Sequence, residues 1–165
     1  MRRSFVPVIA VLTLVLSLVA ASPARAGGGP EKVFAGKILT SDKKFPTYAK
    51  SAGAYTAALR KQSKNQFWED KAKQTWKIYF AAFFKKGLTD IEVVVKLYDV
   101  TNGQKNLMAS FEQYVDQRGQ TALLSQFTLE RKLVGVNKQV LMIIEVGGRS
   151  VASGRPSASA SGPPA

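Results

Sequence analysis

The sequence predicts a mainly β, α+β fold: an antiparallel β-sandwich or curved meander of about six to seven strands, with one N-terminal α-helix packed on it. Three observations carry this. From Thr75 onward apolar residues recur with period two. Turn-forming residues separate these runs at intervals of about 10 to 15 residues. One stretch only, 47–64, has a helical period instead.

The elements follow in order. Val33 to Thr40 alternates weakly and reads as a first strand, broken by Ser41-Asp42-Lys43-Lys44. Phe45-Pro46 reads as a helix start, because proline suits a first turn. Between Thr47 and about Lys64, Tyr48, Ala52, Tyr55 and Leu59 are spaced 4, 3 and 4 apart, which puts them on one helical stripe facing a sheet. Phe67 to Asp70 reads as a hinge or a further helical turn.

Trp76, Ile78, Phe80, Ala82 and Phe84 form one face of the next strand, with Trp76 as a core anchor, and Lys85-Lys86-Gly87 ends it. If Tyr79, Ala81 and Phe83 on the other face lack a helical cover, they form an exposed interaction patch.

Ile91 to Tyr98 is the clearest half-buried strand, and Asn102-Gly103 is a strong hairpin signal after it. A register with Asp99 facing Leu107 sets Val94 opposite Glu112 and Lys96 opposite Ser110, making Lys96 and Glu112 diagonal partners. Leu107 to Val115 and Ala122 to Leu129 alternate as strands. Val140 to Val146 is apolar enough to be covered on both sides. Gly147-Gly148 turns the chain into a last short strand over Ser150 to Gly154. A single domain is thus expected over 31–154, preceded by a flexible lead-in at 27–30. A Ser/Ala/Gly/Pro tail at 155–165 is expected to be disordered.

The first 26 residues have a separate logic. Arg2-Arg3, an apolar run from Val8 to Ala21 and Ala24-Arg25-Ala26 are the three parts of a cleaved signal peptide. The run is short for a bilayer span, which takes ~20 residues, so no span is expected after cleavage. An uncleaved anchor and a twin-arginine signal are the competing readings. The expected location is therefore outside the cytoplasm, periplasmic or secreted.

Removing the leader takes three of the 24 basic residues and none of the 11 acidic ones, leaving 21 against 11 on 139 residues. That length can bury a sizeable core. With no cysteine, disulfides, thiolate metal sites and lipidation at cysteine are excluded. With no histidine, the common nucleophile–imidazole arrangements and histidine-ligated metal or haem are excluded as well. No phosphate loop, calcium loop or internal repeat is present in the sequence, and no cofactor or metal is expected. A carboxylate hydrolase is the remaining enzymatic alternative, with Glu92, Asp99, Glu112, Glu130 and Glu145 as candidates.

The charge is uneven. Residues 31–86 hold 13 Lys/Arg against 4 Asp/Glu, while 87–165 hold 8 against 7. Within the basic part, cations interleave with Tyr48, Tyr55, Phe67 and Trp68, a mixture suited to anionic surfaces. The residues expected to carry binding are Lys50, Arg60, Lys61, Lys64, Lys71, Lys73 and Trp68. Lysine predominates there, which gives diffuse attraction rather than forked phosphate recognition. A solvated lysine-rich face with no partner is the bland alternative. The expected function is an exported, non-catalytic binding or structural component of the cell envelope, with a basic face for anionic polymer or lipid surfaces. Export disfavours nucleic acid as the target. The alternative is a protein–protein module using an exposed sheet face or edge.

Overall fold

The computed structural model describes residues 29–160; the expected signal peptide, the first two residues of the expected lead-in and the last five of the tail lie outside them. The fold is mainly β. Nine strands form one connected mixed sheet among the described residues. They are β1 (Lys37–Ser41), β2 (Gln66–Trp68), β3 (Thr75–Phe83), β4 (Glu92–Asp99), β5 (Asn106–Tyr114), β6 (Ala122–Glu130), β7 (Lys138–Val146), β8 (Arg149–Gly154) and β9 (Ser157–Ser159). Helices α1 (Pro30–Val33) and α3 (Arg131–Val134) are single turns, and α2 (Ala52–Gln62) is the one helix of length.

The main path runs β5-β4-β7-β8-β1-β3-β6. Strand β7 is flanked by β4 on one side and by β8 and β9 on the other. Most pairs are antiparallel. The all-antiparallel expectation fails at two places, because β1 runs parallel to β8 and β2 parallel to β9. Both arise because the C-terminal strands return to pair with N-terminal ones, which local turn signals cannot encode.

The inward faces converge on one core. Trp76, Ile78, Phe80 and Ala82 of β3 meet Val93, Val95 and Leu97 of β4 and Val140, Met142 and Ile144 of β7. Trp76 is 0% exposed, as its position on the apolar face predicts. Its indole Nε1 donates to Ser159 O at 3.0 Å, which satisfies the one polar atom that burial would otherwise strand. The sheet curls enough for its two terminal strands to meet through side chains. Phe111 of β5 and Phe127 of β6 lie 5.6 Å apart between ring centroids, and Ser125 Oγ donates to Gln113 Oε1 at 2.6 Å.

A second, smaller core lies on the opposite face of β1 and β3. Phe34, Phe45 and Leu59 cover Ala81 and Phe83 there. The patch expected if these residues were uncovered is therefore absent: Ala81 and Phe83 are buried and Tyr79 is half-buried.

The helix differs from expectation in both start and stripe. It begins at Ala52, not near Thr47, because Ser51 is its N-cap and its Oγ accepts from Ala54 N at 3.1 Å. Tyr48 falls before the helix and is 83% exposed, while Phe45, taken as part of the helix start, is buried in its stead. Tyr55 and Leu59 do face the sheet. The chain leaves α2 by pairing with β1, with Lys64 N donating to Thr40 O at 2.7 Å and Thr40 Oγ1 to Lys64 O at 2.6 Å.

Other corrections are local. Pro30–Val33 is a helical turn that takes in the last lead-in residue and the first residue of the expected Val33–Thr40 strand, and the strand runs Lys37–Ser41. Residues 66–68 are a strand, not a hinge or helical turn, since Phe67 sinks into the interior core. The tail beyond 154 is ordered as far as Ala160: Pro156 and Ala158 are buried, and β9 pairs with β2 and β7. Gly147 and Gly148, both at positive φ (54° and 77°), make the expected β7–β8 turn. In the β4–β5 hairpin, Val94 opposes Glu112 and Lys96 opposes Ser110 as predicted. A bulge after Leu97 moves Asp99 opposite Asn106 instead of Leu107.

Candidate anion-binding face

The basic segment lies on the outer layer of the molecule. Burying Tyr55, Thr56 and Leu59 turns Arg60 and Lys61 of α2 outward into solvent. Lys50 precedes the helix and is exposed, and Lys71 and Lys73 lie exposed in the turn between β2 and β3. Lys64 follows the helix, close to β2, which carries Trp68.

The structure brings only part of this set together. A groove of about 550 Å³ is lined by Lys64, Trp68 and Lys77, with Asp42, Asn65 and Gln66 beside them and Phe67 below. Lys50, Arg60, Lys61, Lys71 and Lys73 do not line it. Lys77 was missed in the sequence as a site residue. Its signal was available: it alternates with buried Trp76 and Ile78, so it must face outward.

The cations differ in how far they are neutralised. Lys64 Nζ is 2.6 Å from Asp42 Oδ2, and Lys73 Nζ is 3.8 Å from Asp70 Oδ2. Pairs this exposed contribute little and are easily exchanged for another anion. Lys50, Arg60, Lys61, Lys71 and Lys77 have no ion-pair partner among the described residues. Two of these cations lie over rings: the Arg60 guanidinium 5.9 Å from the Phe34 centroid, and the Lys77 ammonium 5.1 Å from that of Tyr79.

The carboxylates considered for hydrolysis lie on other elements, and most accept a hydrogen bond from a neighbouring side chain. Asp99 accepts from Lys138 Nζ at 2.6 Å and from Thr101, and these bonds hold its carboxyl down at about 2. Glu145 accepts from Lys96 Nζ at 2.7 Å; that bond raises the Lys96 ammonium. Lys96 thus pairs across β7, not with Glu112 as the hairpin alone implied, because β7 takes the other side of β4. Glu130 is paired with Lys132, and Glu112 accepts from Tyr114 OH, whose pKa it raises. Glu92 and Glu112 are diagonal on one face of the hairpin, both exposed on an open sheet surface. Glu69 is the most enclosed acid, its side chain 2% exposed and Oε1 3.6 Å from Arg131 Nη1.

No group of three or more acidic residues among the described residues could hold a metal ion, and no helix there is long and apolar enough to cross a membrane. The sequence matches no protein-family model and no curated protein.

Proposed function

We propose that the protein is an exported, non-catalytic binding or structural component of the cell envelope, periplasmic or secreted. Its basic outer layer holds anionic polymer or lipid surfaces. The observation that carries this reading is the set of exposed cations on and around α2 without an ion-pair partner among the described residues, together with a groove lined by Lys64, Trp68 and Lys77. A planar indole beside two ammonium groups suits a surface with both negative charge and exposed carbon. The reading also takes the curled sheet as two facing layers, sandwich-fashion, with α2 covering one of them. Asp99 and Glu145 are held in part-buried ion pairs, and Glu92 and Glu112 lie on an open sheet face rather than converging in a cleft, which supports a non-catalytic role.

Binding of this kind is charge-driven and falls with salt. Co-sedimentation with phosphatidylglycerol vesicles is expected to be strong at about 50 mM salt and nearly lost at about 500 mM, with phosphatidylcholine vesicles retaining little at either. Equal retention at both salt concentrations overturns the proposal.

A second reading rests on the edge of β5. That strand pairs only with β4 among the described residues, contains neither lysine nor proline, and exposes Leu107 (57%) and Tyr114 (60%). The part of this edge around Leu107, away from the Phe111 and Gln113 contacts with β6, is what remains for strand addition by a protein partner. A discrete crosslinked complex from the native envelope, lost on placing lysine at Leu107, is the result this reading expects.

A further inference from the structure

At the other end of β1 from the Trp68 groove lies a cleft of about 580 Å³. The two sites are separated by the length of β1, about 13 Å at the usual rise per residue. Three cations line this cleft: Lys85 and Lys86 from the loop after β3, and Arg149 from the first position of β8. All three are exposed, and none has an ion-pair partner among the described residues. No carboxylate lines the cleft. Glu145, the register partner of Ser150, is held by Lys96. Like charges brought together without a counter-charge repel one another, and an anion between them removes that cost.

The loop that carries the lysines is fixed from both sides. Phe84 N donates to Thr121 O at 2.8 Å, Leu88 N to Gln120 O at 3.1 Å and Gly119 N to Leu88 O at 2.7 Å. Gly87 lies so close to Gly119 that a Cβ on it would stand 2.5 Å from the Gly119 carbonyl oxygen. The stem of Lys85 crosses Gly36, where a Cβ would stand 2.9 Å from its Cε. The cations are therefore carried on a backbone already positioned, which reduces the ordering cost of binding.

The remaining lining includes the apolar Phe84, Leu88, Val146 and Val151. We infer that this cleft is a discrete site for one phosphate-headed amphiphile. The Arg149 fork and the two ammonium groups take the phosphate. The first carbons of an alkyl chain lie against Val151 and the other apolar residues. Lys85 and Lys86 belong to the basic 31–86 stretch, but no cleft residue lies on α2 or lines the Trp68 groove, so the inference stands apart from that face.

The test is calorimetric titration of the purified protein with hexyl phosphate, inorganic phosphate and hexanol. The expected result is saturable one-to-one binding of hexyl phosphate, at least about tenfold weaker binding of inorganic phosphate, and none of hexanol. Lys86→Ala/Arg149→Ala loses at least about tenfold in hexyl phosphate affinity. Arg60→Glu/Lys61→Glu keeps that affinity, so failure here is separable from failure of vesicle binding. Should the cleft variant not fold, amide shifts of the unaltered protein on titration are expected at 84–89 and 149–153. Unsaturable binding, equal affinity for inorganic phosphate, an unaffected cleft variant, or shifts confined to other residues would each overturn the inference.

Discussion

The interior core and the smaller core beneath α2 are built on opposite faces of the same strands. On β3, Trp76, Ile78, Phe80 and Ala82 point into the interior, while Ala81 and Phe83 face the helical layer. The interior is assembled from strands far apart in sequence, β3 against β6 and β4 against β7. The outer core is closed by Phe34, Phe45 and Leu59, all from the first third of the described chain. Elements that share few buried apolar neighbours open at lower cost than the sheet beneath them. The layer bearing Arg60 and Lys61 is thus expected to open at lower cost than the interior sheet.

Mutations should separate the two cores. Phe80→Ala leaves a large hole in the interior and is expected to cost about 3–5 kcal/mol in denaturant melts, with all strands lost together. Leu59→Ala in the outer core is expected to cost about 2–3 kcal/mol. Its signature is regional: hydrogen exchange should speed up over 52–62 while β4 and β7 keep their protection. Equal loss of protection in the strands would mean that the two cores are one cooperative unit. Ser51→Ala removes the N-cap and is expected to cost about 1 kcal/mol, again read at α2.

The smallest effect concerns acid and falls on the sheet. Because the folded Asp99 carboxyl is held at about 2, below its unfolded value, its contribution is present above pH ~4 and is lost as pH falls toward 2. Urea melts through that window should show stability falling, and Asp99→Asn should flatten the dependence. A fall of the same size in the variant would place the acid sensitivity elsewhere.

The sequence made some of this legible. Strand alternation identified the inward faces of β3 and β4, because burial on one side of a pleat imposes period two on the residues themselves. The hairpin register of Val94 with Glu112 was readable because the turn chemistry lies next to the strands it joins. The partner of Lys96 was not, since Glu145 arrives from 49 residues away. The order of β9 was hidden for the same reason: Ser157-Ala158-Ser159 has little to bury alone and gains a place only between β2 and β7. Tyr48 was misplaced because 4-3-4 spacing persists past the true N-cap at Ser51. At the basic face, composition singled out Lys64 and Trp68; alternation with Trp76 and Ile78 turns Lys77 outward, and the structure places it in the same groove. The cleft of Lys85, Lys86 and Arg149 joins two loops that nothing in the sequence links.

The most direct measurement is the affinity of Arg60→Glu/Lys61→Glu for phosphatidylglycerol vesicles at low salt, compared with the unaltered protein. Both side chains are exposed, with the Arg60 guanidinium also over the Phe34 ring, so the substitution reverses two surface charges and removes one cation–π contact. Affinity should drop by at least about tenfold, and the salt dependence should become shallower. Unchanged affinity with unchanged salt dependence would contradict the claim that the outer basic layer is the binding surface.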